Sequence, residues 1–142
     1  MPVHHAIIPG LQYADAPAAI DWLERAFGFT RQLVVPDDDG GIAHAQLLLD
    51  GNMIMLGSVR ADTVYGRKTP AAAGGVTMTI SVTLDDPDAH FARAVTAGAD
   101  IIVPIKDMPY GGRAYDVRDC GGHVWTFGSY DPVGGISLPS PA

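Results

Sequence analysis

An internal repeat is the feature that most constrains this chain. Asn52-Met53-Ile54-Met55-Leu56-Gly57-Ser58 lies over His123-Val124-Trp125-Thr126-Phe127-Gly128-Ser129, an offset of 71 residues. The same order of signals precedes each copy. In the first half, an apolar stretch over 4–13 reads as a strand. Asp15 then offers an N-cap with Pro17 in the first turn, and Ala16, Ala19, Ile20, Leu23 and Phe27 recur at helical spacing until Gly28 stops the helix. A β-rich stretch over 29–35, a turn over 36–41, and strands over 43–49 and 52–58 follow. Asp50-Gly51 between the last two is a type I′ hairpin signal. In the second half a strand is expected over 76–84. Asp86-Pro87 caps a helix carrying Ala89, Ala92 and Val95 to Gly98, and strands are expected over 101–105, 113–118 and 123–129. The pattern predicts one α+β domain, 1–142, of two tandem βαβββ units at about 4–59 and 76–130. A linker over 60–75 joins them and a loose Gly/Pro/Ser-rich tail spans 131–142. Two such units bury their sheets by curving both around a cleft, with each helix packed behind its own sheet.

Composition narrows the function classes. The 142 residues are 47% hydrophobic, enough for a real core, and 17 Gly with 11 Pro imply many tight turns. Nine Lys and Arg stand against 16 Asp and Glu, a net charge of −7. An acidic chain without a basic cluster repels phosphate, so no nucleic-acid partner is expected. The lone Cys120 rules out an internal disulfide and fits a reducing cytosol. No apolar run approaches the roughly 18 residues of a membrane helix, and no charged-then-apolar leader opens the chain. A soluble cytoplasmic domain with no membrane partner is the expectation.

Three stretches then carry a family resemblance: ADAPAAIDWLERAFG at 14–28, IAHAQLLLDGNMIML at 42–56, and DMPYGGRAYDVRDCGGHVWTF at 107–127. In this order and spacing, over about residues 5–131, the chain resembles the glyoxalase, bleomycin-resistance and extradiol-dioxygenase superfamily, also called vicinal oxygen chelate. It is most similar to the metal-free, bleomycin-resistance-like branch. The resemblance implies a curved mixed-sheet fold around a cleft and a homodimer. It also implies four inward positions that hold the metal in metal-dependent members. Aligned on Asp15 and Asp86, these fall at Ile8, Met55, Thr79 and Thr126. Divalent catalytic metals need imidazole or carboxylate donors, which none of the four supplies. No metal and no cofactor is therefore the expectation, which argues against lactoylglutathione lyase and dioxygenase chemistries. Other candidates are weaker. His4 and His5, adjacent on extended chain, face opposite ways. Asp37, Asp38 and Asp39 lack a calcium-loop pattern and a distal Glu. His90 and His123 read as solvated.

With Met55 set inward, strand alternation assigns the cleft. His44, Gln46, Leu48, Met53, Met55 and Gly57 face it, whereas Ala45, Leu47, Leu49, Ile54 and Leu56 face the first helix. Thr77, Thr79 and Ser81 face in on the fifth strand, with Met78, Ile80 and Val82 toward the second helix. Val124, Thr126 and Gly128 face in on the last strand, with Trp125 and Phe127 in the core. By repeat, Arg113, Tyr115 and Val117 correspond to the inward set, although the longer second turn leaves that parity open. Gly57 and Gly128 read as open floor, and Tyr110 in the loop 107–112 as part of a lid or only a connection. The expected ligand-binding set is Ile8, His44, Gln46, Met53, Met55, Gly57, Thr79, Tyr110, Arg113, Tyr115 and Thr126.

An apolar layer opposite a mixed Met/Thr/Ser/Gln/His layer is the pattern of a core on one side and a ligand pocket on the other. Adaptable methionines favour a bulky small molecule, aromatic or, given the acidic charge, cationic. The leading reading is a metal-independent binding protein that sequesters a drug or secondary metabolite and has no catalytic residue. The alternative is a metal-independent lyase or isomerase with His44 as general base, helped by Gln46 or Tyr115. A third is a non-catalytic partner module using its sheet edges.

Overall fold

Both long helices begin in the same way. Asp15 and Asp86 accept the backbone N–H of Ala18 and Ala89 at 3.1 and 3.0 Å, and each helix has proline in its first turn. The computed structural model describes residues 2–60 and 64–134. In chain order it contains β1 (Gly10–Tyr13), α1 (Ala16–Phe27), β2 (Thr30–Pro36), β3 (Ile42–Leu49), β4 (Asn52–Ser58), α2 (Pro70–Ala73), β5 (Ile80–Thr83), α3 (Pro87–Thr96), β6 (Asp100–Asp107), β7 (Arg113–Arg118) and β8 (Val124–Gly128). One four-stranded sheet has the order β1-β4-β3-β2 and the other β5-β8-β7-β6. In each the first strand pairs parallel with the last, and the remaining pairs are antiparallel. The two βαβββ units read from the repeat are both present. Positive φ at Asp50 and Gly51, 48° and 80°, forms the tight β3–β4 hairpin.

The first strand of each unit is shorter than its apolar run suggests. The run over 4–13 contracts to Gly10–Tyr13 and that over 76–84 to Ile80–Thr83. Both are edge strands, and Pro9 has no N–H with which to extend the β1 ladder. Its carbonyl still accepts from the Met55 N–H at 2.9 Å. Met78, expected to face the second helix, is 64% exposed beyond the shortened strand. Within the expected linker, Thr69 caps the short α2 by accepting from the Ala72 N–H. Residues 61–63 of that linker and 135–142 of the tail lie outside the described residues.

One core serves both units. Phe27, at the end of α1, makes edge contacts with Trp125 and Phe127 at ring-centroid distances of 5.5 and 4.8 Å. Ala45, Leu47, Ile54 and Leu56 are buried with Tyr115, Val117, Trp125 and Phe127 in the same cluster.

The parity of β7 reverses the repeat-based expectation. Asp116 opposes Thr126, so Tyr115 and Val117 lie opposite Phe127 and Trp125 on the core side. The second hairpin is displaced by one residue from the first, and a one-residue shift turns every side chain over. Tyr115 is therefore core. Arg113, on the same side, reaches Asp88 of α3 and Asp107 at 2.9 and 3.0 Å rather than a cleft.

His90 and His123, expected to be solvated, tie the units together. His123 Nε2 lies 2.9 Å from the Gln12 carbonyl, which can only accept, so Nε2 donates. His90 Nε2 donates in the same way to the Phe27 carbonyl at 2.8 Å, leaving Nδ1 to accept from the Tyr115 hydroxyl at 2.5 Å. This arrangement requires the neutral ring, and burial holds the His90 pKa below its ordinary range. The unfolded chain therefore takes up more protons than the folded one as pH falls through roughly 6.5, and stability is lost there. Thermal melts should show Tm falling from pH 7.5 to 5.5. His90→Gln should lower stability at pH 7.5 by about 1–3 kcal/mol, through loss of the Tyr115 partner, and flatten that slope. An unchanged slope would exclude His90 as its source.

Candidate ligand-binding face

The side of the first sheet turned away from α1 gathers polar and adaptable groups. Ala45 pairs with Leu56 and Leu47 with Ile54 on the core side, which leaves Gln46 opposite Met55 and Leu48 opposite Met53 on the open side. β1 adds Gly10 beside Met55 and Gln12 beside Gly57. β2 adds Leu33 opposite Gln46 and Val35 opposite His44, 42% and 41% exposed. The polar groups form a chain. His44 Nε2 lies 2.9 Å from Gln46 Oε1, and Gln46 Nε2 donates to Gln32 Oε1 at 2.5 Å. Because Gln46 Oε1 only accepts, His44 donates from Nε2.

At one end of this face is a small cavity of about 170 Å³, lined by Gly10, Gln12, His44, Met55 and Gly57 together with Arg60 and Arg67. Arg60 is anchored by donating from Nη2 to the Ala43 carbonyl at 2.6 Å. Arg67 lies 5.0 Å from the centre of the Tyr65 ring, a cation–π distance. The sequence reading missed Gly10, Gln12 and both arginines. The available signal was three cations, Arg60, Arg67 and Lys68, soon after β4 in a chain with nine Lys and Arg.

The remaining expected residues are distributed elsewhere. Ile8 and Met53 line a larger cavity of about 730 Å³ with Leu48, Ser81, Thr83 and the segment before β1. Thr126 belongs to the open side of the second sheet, where its hydroxyl donates to Asp116 at 2.6 Å. Asp116 is a further residue that the reversed parity concealed. Thr79 lies just outside β5 and is exposed. Tyr110 packs edge-on against Tyr130 at 4.9 Å on the loop after β6. Neither open-side cavity brings His44 or Met55 to Thr126 or Asp116.

The donor set does not fit a catalytic metal. Ile8 has no donor, Met55 a soft thioether, and Thr79 and Thr126 neutral hydroxyls. Among the described residues no three His, Cys, Asp or Glu side chains converge. A third cavity of about 560 Å³ lies at the start of α1, lined by Asp15, Trp22, Thr69 and Cys120. Burial pushes the Cys120 thiol up to about 11, so it is a poor nucleophile at neutral pH.

The two floor glycines are packing requirements, not open space. A Cβ on Gly57 would stand 3.2 Å from the Ala43 carbonyl oxygen, and one on Gly128 2.9 Å from the Ala114 Cβ. Gly10 has nothing within 4 Å and is the position where added bulk enters the cavity. Urea denaturation should find Gly57→Ala destabilised by about 1–3 kcal/mol. Gly10→Leu should stay within about 0.5 kcal/mol of the parent. Equal costs would contradict this account of the floor.

Comparison with known proteins agrees with this architecture. Residues 3–127 match the family described as the glyoxalase/bleomycin resistance protein/dioxygenase superfamily. Uncharacterized proteins of Mycobacterium bovis and Mycobacterium tuberculosis are 37% identical over 137 residues. The match covers 96% of this chain and 89% and 79% of theirs. The crystal structure of TioX from Micromonospora sp. ML1 is 35% identical, covering 88% of this chain and 98% of that one with a TM-score of 0.69. A glyoxalase-related enzyme from Fulvimarina pelagi shares the fold at 18% identity and a TM-score of 0.63, covering 92% and 91%. With two βαβββ units in the right order and a family match spanning nearly all of both, this chain belongs to the glyoxalase/bleomycin resistance protein/dioxygenase superfamily.

Proposed function

We propose that this protein binds and sequesters a bulky small molecule, a drug or secondary metabolite, in the cytoplasm, without a metal and without transforming it. One observation carries the reading. β3 and β4 bury an aliphatic layer of Ala45, Leu47, Ile54 and Leu56 in the core, and the sheet turns Met53, Met55, Leu33, Val35, His44 and Gln46 outward. Unbranched methionines repack around varied shapes, and a few polar groups fix orientation. A second copy of the chain would cover the exposed Leu33 and Val35 of β2, and we propose a homodimer formed by an isologous contact.

The runner-up is a metal-independent lyase or isomerase using His44. Its Nε2 is engaged by Gln46, which leaves Nδ1 as the ring nitrogen that a base would use. Tyr115, the other expected helper, is hydrogen-bonded to His90 in the core. That favours the binder.

A thermal-shift screen against planar antibiotics and aromatic metabolites should give hits whose Tm rises with ligand concentration. For a sequestering protein, His44→Ala should cost on the order of the 0.5–1.5 kcal/mol of one hydrogen bond, and the ligand should be recovered unchanged. Retained affinity with turnover reduced roughly 10²–10⁴-fold in that variant would establish the enzyme instead. Light scattering at micromolar concentration should report twice the 14.9 kDa chain mass. A mass of one chain would refute the dimer.

A further inference from the structure

We infer that Gln32 sets the ligand specificity of the open face, by ending a hydrogen-bond chain to His44 that can run in either direction. This rests on the sequestration reading of that face and specifies its ligand class: neutral aromatic molecules carrying one polar group, donor or acceptor. Gln32 reaches the chain through a β-bulge. Arg31 opposes Leu47 and Leu33 opposes Gln46, so Gln32 is the extra residue between two successive pairs. A bulge re-aims a side chain. Here Arg31 turns to Asp21 and Glu24 of α1, whereas Gln32 and Leu33 both lie on the side of Gln46.

The heavy atoms of the chain fit two arrangements of hydrogen. In one, His44 Nε2 donates to Gln46 Oε1 at 2.9 Å and Gln46 Nε2 donates to Gln32 Oε1 at 2.5 Å. A carboxamide has a carbonyl on one arm and an NH2 on the other, so a half turn of both amides reverses the order. Gln32 then donates to Gln46, and Gln46 donates to His44 Nε2. Both directions contain two hydrogen bonds, and Gln32 is exposed on the edge strand β2, where water meets whichever arm is left over. What changes is the other ring nitrogen. In a neutral imidazole one nitrogen donates and the other accepts. The first direction therefore leaves a lone pair on Nδ1, and the second an N–H. His44 lines the small cavity, and Met55, Met53 and Leu48 continue the open side beside it. An aromatic ring laid over these residues meets a partner of either kind. Direction is decided at the Gln32 end: a group there that only accepts holds the first, and one that only donates holds the second.

Ligand-observed NMR titration at about pH 8.5, where an imidazole is neutral, tests this with indole as donor and isoquinoline as acceptor. Each is compared with its hydrocarbon isostere, indene or naphthalene. Both heterocycles should bind the parent protein about fivefold tighter than their isosteres, the worth of one net hydrogen bond. The carboxylate of Gln32→Glu only accepts, and should keep the indole advantage while removing that of isoquinoline. The ammonium of Gln32→Lys only donates, and should do the reverse. Neither hydrocarbon should change. Without ligand, the ring-nitrogen chemical shifts of His44 should be averaged in the parent. They should move toward the Nε2–H form in Gln32→Glu and toward the Nδ1–H form in Gln32→Lys. If the rings bind but both variants keep the parental advantages and the parental nitrogen shifts, Gln32 sets no direction, the proposal is overturned and the binding face stands. If none of the four rings binds the parent, the sequestration reading fails, and the assigned ligand class with it, whatever the nitrogen shifts do.

Discussion

Asp119, only 5% exposed, accepts four hydrogen bonds, and through them the two halves of the chain are held in one arrangement. Oδ2 accepts from the Tyr13 hydroxyl at 2.6 Å and the Trp125 indole at 3.0 Å, and Oδ1 from the Gly121 and His123 N–H groups at 2.9 and 3.0 Å. A carboxylate can be buried only where its oxygens are met by donors, so the β7–β8 turn is shaped around this one group. Tyr13 comes from the first unit, and burial, reinforced by the nearby carboxylate, raises its pKa well above the ordinary range. The phenol stays a donor. The turn also needs a glycine at 121, because a Cβ there would meet the Tyr13 ring at 2.5 Å.

A second set of links runs along the helices. Arg93 of α3 donates to the carbonyls of Arg25 and Glu24 at 2.9 Å each, capping the C-terminal end of α1, and His90 closes on Phe27 from the same helix. The core thus claims one side of each sheet, together with the helices, Trp125, Phe127 and Tyr115. What is left open is the other side.

Much of this was legible from spacing. The two Asp caps, the Asp50-Gly51 hairpin, the repeat offset and the inward and outward sets of β3 and β4 all follow from local rules with a period of 2 or 3.6. Where the reading failed, the cause was non-local. The connection between β7 and β8 is set by Asp119 satisfying its neighbours, and the resulting register moved Tyr115 and Arg113 off the open side and brought Asp116 onto it. His90 has a partner 63 residues away in sequence, and Arg60 one 17 residues away. Alternation within a strand carries no information about either. The glycines misled for a related reason. A small residue signals space in a sequence, but Gly57 and Gly128 are small because backbone and Ala114 already occupy that space.

The distribution of charge completes the argument. Arg31 is engaged by Asp21 and Glu24, Arg113 by Asp88 and Asp107, and Arg118 by Asp100, all at the surface. Such exposed pairs contribute little stability each. They do, however, cancel those cations as attractors for a ligand. Arg60 instead donates to the Ala43 carbonyl where it lines the small cavity. At physiological ionic strength fields are screened over about 8 Å, so the surface acids dominate the field outside the protein, whereas close contacts dominate it within a cavity.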